Sequence, residues 1–350
     1  MDPAHAPRRA TAFWTAAPGR GELRSSELRA PAEGEALVRT LYSGISRGSE
    51  TLVYQGQVPA SVREMMRAPF QEGDLPGAVK YGYLSVGVVE AGPPGLAGRT
   101  VFCLYPHQDR YVVPALALIP VPDGVPARRA VLAGTVETAV NALWEAAPRL
   151  GDRVAVVGAG MVGLSVAALL RQFPLRRLQL LDTDPSKEAI ARAVGAEFVS
   201  PQQAAGNCDL VIHCSASAAG LATGLELLGE EGELIEMSWY GDRQVRVPLG
   251  AAFHARRLSI RASQVGAVAQ ARRARRTSRE RLALSLDLLK DPVFDRLLTG
   301  SSDFSRLPEA MDLLASGALP ALCHVIDYPL EASDDGDAPL GASAGGTPVG

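Results

Sequence analysis

The stretch RVAVVGAGMVGLSVAALL, residues 153–170, decides the fold. A short apolar run leads into Gly158, Gly160 and Gly163, spaced G-x-G-x-x-G, and a second apolar run follows. Three glycines interrupt the 17 residues 154–170, so a strand, a turn and a helix suit them better than a bilayer span. In that geometry Gly158 permits the sharp turn, Gly160 lets a pyrophosphate approach the backbone, and Gly163 lets the helix lie close on the strand. The helix start at Met161 and Val162 supplies N–H donors for the phosphates. The next apolar segment ends in LLD, and Asp182 stands 19 residues beyond Gly163. A carboxylate at that spacing meets the adenosine ribose hydroxyls of a dinucleotide. It also repels a 2′-phosphate, and Thr183, Asp184 and Pro185 bring no arginine, so NAD is expected over NADP, with Lys187 the one nearby cation.

Outward from this turn, apolar strands alternate with helices. A helix is expected over 161–173 and a strand over the LQLLD run, then a helix over 185–194. A strand over 209–213, a helix near 219–228 and strands over 233–237 and 258–261 follow. Such alternation implies a parallel sheet covered on both faces, an α/β Rossmann unit placed at residues 146–268. The preceding half reads as short strands at 35–42, 85–90, 100–104 and 111–113, broken by Gly and Pro. It forms a β-rich unit over 25–145, with residues 1–24 flexible. Residues 269–330 make a C-terminal segment, and the small polar tail 331–350 is expected to be disordered. The six arginines of 271–281 are expected on a solvated face leading into a helix over 282–289.

The totals fit this plan. With 350 residues, two domains are the natural prior. A 47% hydrophobic and 21% charged composition describes a soluble globular protein, and a net charge of −3 gives no pull towards nucleic acid or anionic membrane. Cys103, Cys208, Cys214 and Cys323 form no C-x-x-C pair, which suggests reduced thiols and a cytoplasmic location. Residues 1–20 show no signal peptide, and no membrane span is expected.

A dinucleotide unit from about residue 150, behind a β-rich unit, resembles the medium-chain dehydrogenase/reductase superfamily over roughly residues 25–328. That resemblance implies a GroES-like catalytic domain before the Rossmann domain, with 269–330 returning to the first. In zinc-dependent members a loop reading G-[IV]-C-x-[ST]-D supplies a cysteine ligand, and here Gly44 and Ile45 lead to Ser46. The second zinc motif, GHExxG, reads GYLSVG, with Tyr83 and Leu84 replacing the histidine and glutamate. Gly134 falls at the third ligand position, with Glu137 the carboxylate close by, and the cysteine-rich lobe of many relatives is missing. A serine hydroxyl and a phenol ionise too reluctantly to hold zinc near neutrality, so no metal is expected. Several phrases (SGISRGSE, PGAVKYGY, VFCLYPHQ, SWYGD, FHARRLSIRASQVG) are similar to the branch containing 2-desacetyl-2-hydroxyethyl bacteriochlorophyllide a dehydrogenase.

The resemblance implies a zinc-independent, NAD-linked dehydrogenase acting on a small-molecule secondary alcohol and its ketone, the alcohol carbon on a conjugated ring or tetrapyrrole. Without a Lewis acid, a general base and hydrogen-bond donors must serve the reacting oxygen. Ser46 and Tyr83 are the catalytic candidates, with Glu137 or Glu50 as the carboxylate. Arg47 and Thr138 join Gly158, Gly160, Met161, Val162, Gly163 and Asp182 as cofactor-binding candidates. Trp239 and Tyr240 are expected near the nicotinamide, and Ser263 and Gln264 near its carboxamide. His107 and His254 are weaker proton carriers. A quinone or enone reductase and a non-catalytic nucleotide-binding protein remain as alternatives. A homodimer through the edge of the dinucleotide domain is expected by analogy, with no nucleic-acid partner.

Overall fold

Arg153–Val157 lies at the centre of a six-stranded sheet in the computed structural model, which describes residues 8–250 and 252–329. In space the strands run Glu197–Val199, Arg177–Leu181, Arg153–Val157, Cys208–His213, Leu228–Glu236, Ser259–Ala262, and every pairing is parallel. Numbered along the chain this is 3-2-1-4-5-6, the doubly wound Rossmann order. Val154, Ala155 and Val156 are fully buried, which is why that strand reads as a continuous apolar run rather than an alternating one. The helix Met161–Leu170 buries everything from Gly163 onward, caught between the sheet and the helix Ala133–Ala146. The strand order reverses between Arg153–Val157 and Cys208–His213, and open α/β sheets bind ligands at the carboxyl ends of such a pair.

The β-rich unit is GroES-like and is built around Glu35–Ile45. This 11-residue strand pairs antiparallel with Ser85–Ala91, with Arg110–Pro114 and with Cys323–Asp327. Cys323–Asp327 also pairs in parallel with Leu298–Asp303, so the chain's end completes a sheet begun near its start. Thr100–Cys103 and Ile119–Pro120 extend the other side. A smaller sheet orders Arg20–Leu28, Arg8–Ala17, Gly77–Lys80 and Glu72–Asp74. Among the described residues no helix is long and apolar enough to cross a membrane.

Two local expectations need correction, and one further segment is settled by its packing. Residues 8–24, expected to be flexible, form a long hairpin of Arg8–Ala17 with Arg20–Leu28, anchored by buried Ala10, Ala12 and Phe13. The segment after Ser46 is a helix, Arg47–Tyr54, despite Gly48 and Ser49: it buries Leu52, Val53 and Tyr54, and the Glu50 carboxylate accepts the Ser46 N–H at 2.7 Å. Ser278–Leu288 starts earlier than expected because Thr277 and Glu280 form a reciprocal capping box. Residues 1–7 and the tail 331–350 lie outside the described residues.

Candidate active site

The glycine turn is tight where tightness is needed and open where a ligand must approach. Gly158 has φ +105°, and a Cβ there would stand 2.8 Å from the backbone N and Cα of Ser215. A Cβ on Gly163 would stand 1.9 Å from the Gly158 carbonyl oxygen, so only glycine lets helix and turn pack this closely. Gly160, the residue preceding the helix at Met161 and Val162, has nothing within 4 Å of a Cβ position. That open cradle beneath free helix N–H groups fits a dinucleotide pyrophosphate.

Asp182 sits at the end of the neighbouring strand and ties the loops together. Its Oδ2 accepts the Ala159 N–H at 2.7 Å and its Oδ1 the Asp184 N–H at 2.9 Å. Further lone pairs on both oxygens remain for ribose hydroxyls. Lys187 stands 3.8 Å from Asp184. Arg47 is exposed at the start of its helix; it donates to the Ala321 carbonyl at 3.4 Å, and no carboxylate pairs with it among the described residues. Thr138 spends its hydroxyl on the Gly134 carbonyl at 2.9 Å, whereas Thr135 reaches Met161 Sδ at 3.6 Å.

Ser46 and Tyr83 do come together. The Tyr83 phenol lies beside the side chains of Ser46 and Ser49. Burial, and then the nearby Glu50 charge, push its pKa up to about 12 despite the two serines, so the phenol remains a proton-bearing donor. Leu84 is fully buried, and a Cβ on Gly134 would meet its Cδ2 at 2.6 Å. At these two residues hydrocarbon is packed against a bare glycine, and neither side chain offers a donor atom to a metal. Among the described residues no group of three or more His, Cys, Asp or Glu is placed to hold a metal ion.

The carboxylate beside this pair is Glu50, not Glu137. Glu50 is 4% exposed; its Oε2 lies 2.8 Å from His107 Nε2, whose Nδ1 lies 2.6 Å from Ser43 Oγ, itself 3.0 Å from the Tyr328 hydroxyl. Glu137 instead faces the buried guanidinium of Arg281, with Oε1 3.0 Å from Nε. Arg281 also donates to Asn141 Oδ1 at 2.5 Å and to the carbonyls of Ala267 and Val265. Arg281 thus departs from the solvated face expected for 271–281, while Arg272, Arg273, Arg275 and Arg276 are exposed. A basic run gives no sign of which member turns inward.

The aromatic pair separates. Trp239, from the dinucleotide unit, packs in one cluster with Tyr81 and Tyr83 of the β-rich unit. Tyr240 turns away, donating to Glu236 at 3.1 Å and lying over the His213 ring. Ser263 is buried against Asn141, Gln264 binds the Gly266 N–H with its own amide oxygen, and His254 is exposed on a short helix. Sequence reasoning missed His213, Ser215, Ser217 and Glu236, which meet at the ends of the two strands beyond the switch point. The only sequence sign was two polar residues closing apolar strands, in VIH and LIE.

No protein-family model matches the chain. Solved structures share its fold at low identity. An alcohol dehydrogenase of Escherichia coli CFT073, solved with NADH, superposes with a TM-score of 0.73 at 17% identity, over 91% of this chain and 99% of that one. L-Idonate 5-dehydrogenase of E. coli K-12 gives 0.75 at 16%, over 92% and 99%. 2R,3R-Butanediol dehydrogenase of Bacillus subtilis gives 0.73 at 15%, over 91% and 99%.

Proposed function

We propose that the chain is a zinc-independent, NAD-linked dehydrogenase that interconverts a secondary alcohol and its ketone. The observation that carries this reading is the grouping of Ser46, Tyr83 and buried Glu50, two of which stand where the family resemblance puts zinc-binding motifs. The residues there do not fit zinc: a hydroxyl, a phenol that keeps its proton to about 12, a leucine and a glycine.

The glycine cradle and Asp182 fit a dinucleotide, and the alcohol-oxidising neighbours of the same fold add weight by analogy. When bound, the nicotinamide supplies the hydride acceptor in oxidation and the donor in reduction. The chain's own residues handle the oxygen. Tyr83, which keeps its proton to about 12 and lies beside Ser46 and Ser49, donates a hydrogen bond to it. Glu50, whose carboxylate accepts the Ser46 backbone N–H, is the buried base we assign to the alcohol proton. His107 fixes the Glu50 carboxylate from behind. Asp182 selects NAD over NADP through its charge, and Arg47 is free to meet the pyrophosphate.

Trp239, packed with Tyr81 and Tyr83, walls the site with flat apolar surface, which suits a substrate whose carbinol carbon sits on a large conjugated ring such as a tetrapyrrole. The edge strand Ser259–Ala262 is exposed along its whole length, with Ile260 on it and apolar Val247 and Leu249 exposed shortly before it, and we assign it to pairing with a second copy. The four free thiols suit a cytoplasmic location.

The test is NADH formation from NAD and a panel of aryl-substituted secondary alcohols, with Tyr83→Phe beside the parent. Loss of the hydroxyl alone is expected to lower turnover by roughly a hundredfold or more with NADH affinity unchanged. Normal turnover in Tyr83→Phe would reduce the residue to a space-filler.

A further inference from the structure

At the carboxyl ends of Cys208–His213 and Leu228–Glu236 lies a polar chain that the proposed chemistry does not use. The Glu236 carboxylate accepts from the Ser238 N–H at 2.7 Å, from the Tyr240 hydroxyl at 3.1 Å and from His213 Nδ1 at 2.8 Å. The opposite ring nitrogen of His213, Nε2, lies 2.7 Å from Ser215 Oγ, which lies 2.9 Å from Ser217 Oγ. Ser217 in turn accepts the Gly220 N–H at 3.0 Å. His213 is fully buried, Ser215 half-buried and Ser217 exposed, so the chain runs from the interior to the surface at the carboxyl ends of the strands.

Its direction follows from its inner end. A carboxylate only accepts, so His213 Nδ1 carries the proton. Burial alone would raise the Glu236 carboxyl, but the bonds from His213 and Ser238 hold it below the usual range, which keeps it an acceptor. When Nε2 accepts the Ser215 proton, Ser215 accepts that of Ser217, both serine hydrogens point inward, and the two oxygens offer lone pairs outward. Such a face suits donating hydroxyls and disfavours a phosphate.

Position supplies the rest. Val157 pairs with His213 across the strand-order reversal, and Ser215 lies against Gly158. Asp182 stands on one side of the glycine turn, at the adenosine half of a dinucleotide. Ser215 and Ser217 stand on the other, where the second mononucleotide half belongs. We propose that Ser215 and Ser217, oriented by Glu236 through His213, bind the vicinal hydroxyls of the nicotinamide-side ribose. This rests on the NAD reading above.

The experiment is equilibrium binding to the full chain, with NADH followed by fluorescence and ADP, which carries only the adenosine half, by calorimetry. Ser215→Ala and Ser217→Ala are each expected to weaken NADH roughly three- to tenfold, the size of one ordinary hydrogen bond, and to leave ADP unchanged. Ser217→Thr keeps both the hydroxyl and the helix cap and is expected to match the parent. NADH affinity unchanged in both alanine variants overturns the proposal, and so does an equal fall for NADH and ADP, which reports a loosened glycine turn instead. A parent that binds neither ligand sinks the NAD reading and this assignment with it; a parent that binds both while the variants equal it sinks the assignment alone.

Discussion

Glu137→Gln separates structure from chemistry at the residue that sequence reasoning placed in the catalytic group. Glu137 and Arg281 have side chains 5% and 2% exposed, and the Oε1–Nε distance is 3.0 Å. Removing one partner of a buried ion pair leaves an uncompensated charge and costs about 3–5 kcal/mol. Asn141 and the carbonyls of Ala267 and Val265 keep the other guanidinium donors bonded, which points to the lower end, about 3 kcal/mol. At roughly 2–4 °C per kcal/mol for a large domain, the melting temperature is expected to fall by about 6–12 °C. Adding Arg281→Met removes the stranded charge and is expected to recover much of the loss, a coupling that a double-mutant cycle measures directly. The assay is thermal unfolding of the parent, both single variants and the double, with NADH-linked turnover measured well below the lowest midpoint. Turnover per folded molecule is expected to stay close to the parent's. A Glu137→Gln protein that melts within about 1 °C of the parent yet loses turnover a hundredfold would refute this reasoning and return Glu137 to the chemical step.

Asp182→Ala removes bonds to a charged acceptor, each about 1.5–3 kcal/mol, so NADH affinity is expected to fall roughly ten- to a hundredfold while NADPH binds equally or better; equal affinities for both cofactors in the parent would undo the assignment. Elemental analysis of the purified protein is expected to find well under one zinc per chain, with stability unchanged in chelator, and one tightly held zinc would contradict that. Tyr83 gives a pH signature. Its pKa is raised from 10.0 to about 12 in the folded protein, so its contribution to stability is full below 10 and is lost as pH rises through about 12. Unfolding between those limits should show a slope that Tyr83→Phe lessens, and an identical slope in both proteins would count against the buried phenol. Gly163→Ala is expected to destabilise the fold and abolish NADH binding, since its Cβ would lie 1.9 Å from the Gly158 oxygen; a stable variant with parent affinity would mean the turn is not this tight.

Residues 153–182 carried the Rossmann unit in sequence because their constraints are local. A buried strand, three glycines and a carboxylate at fixed spacing each answer to the backbone within a few residues. The misfit of Ser46, Tyr83 and Leu84 to zinc was legible for the same reason, since side-chain chemistry is a property of the residue itself. The hairpin Arg8–Leu28 was not, because Phe13 is the one large apolar side chain among its buried residues Ala10, Ala12, Phe13 and Thr15, and small side chains give little periodic signal. What tertiary structure alone decided was pairing. Glu137 and Glu50 are both single carboxylates near the expected site, and only packing shows that Arg281, 144 residues away in sequence, claims the first while His107 holds the second. His213 and Glu236 look like the polar ends of two separate strands until the parallel register sets them side by side. A charge buried at such a distance takes its role from the partner that neutralises it, and only the folded sheet and its packed helices select that partner.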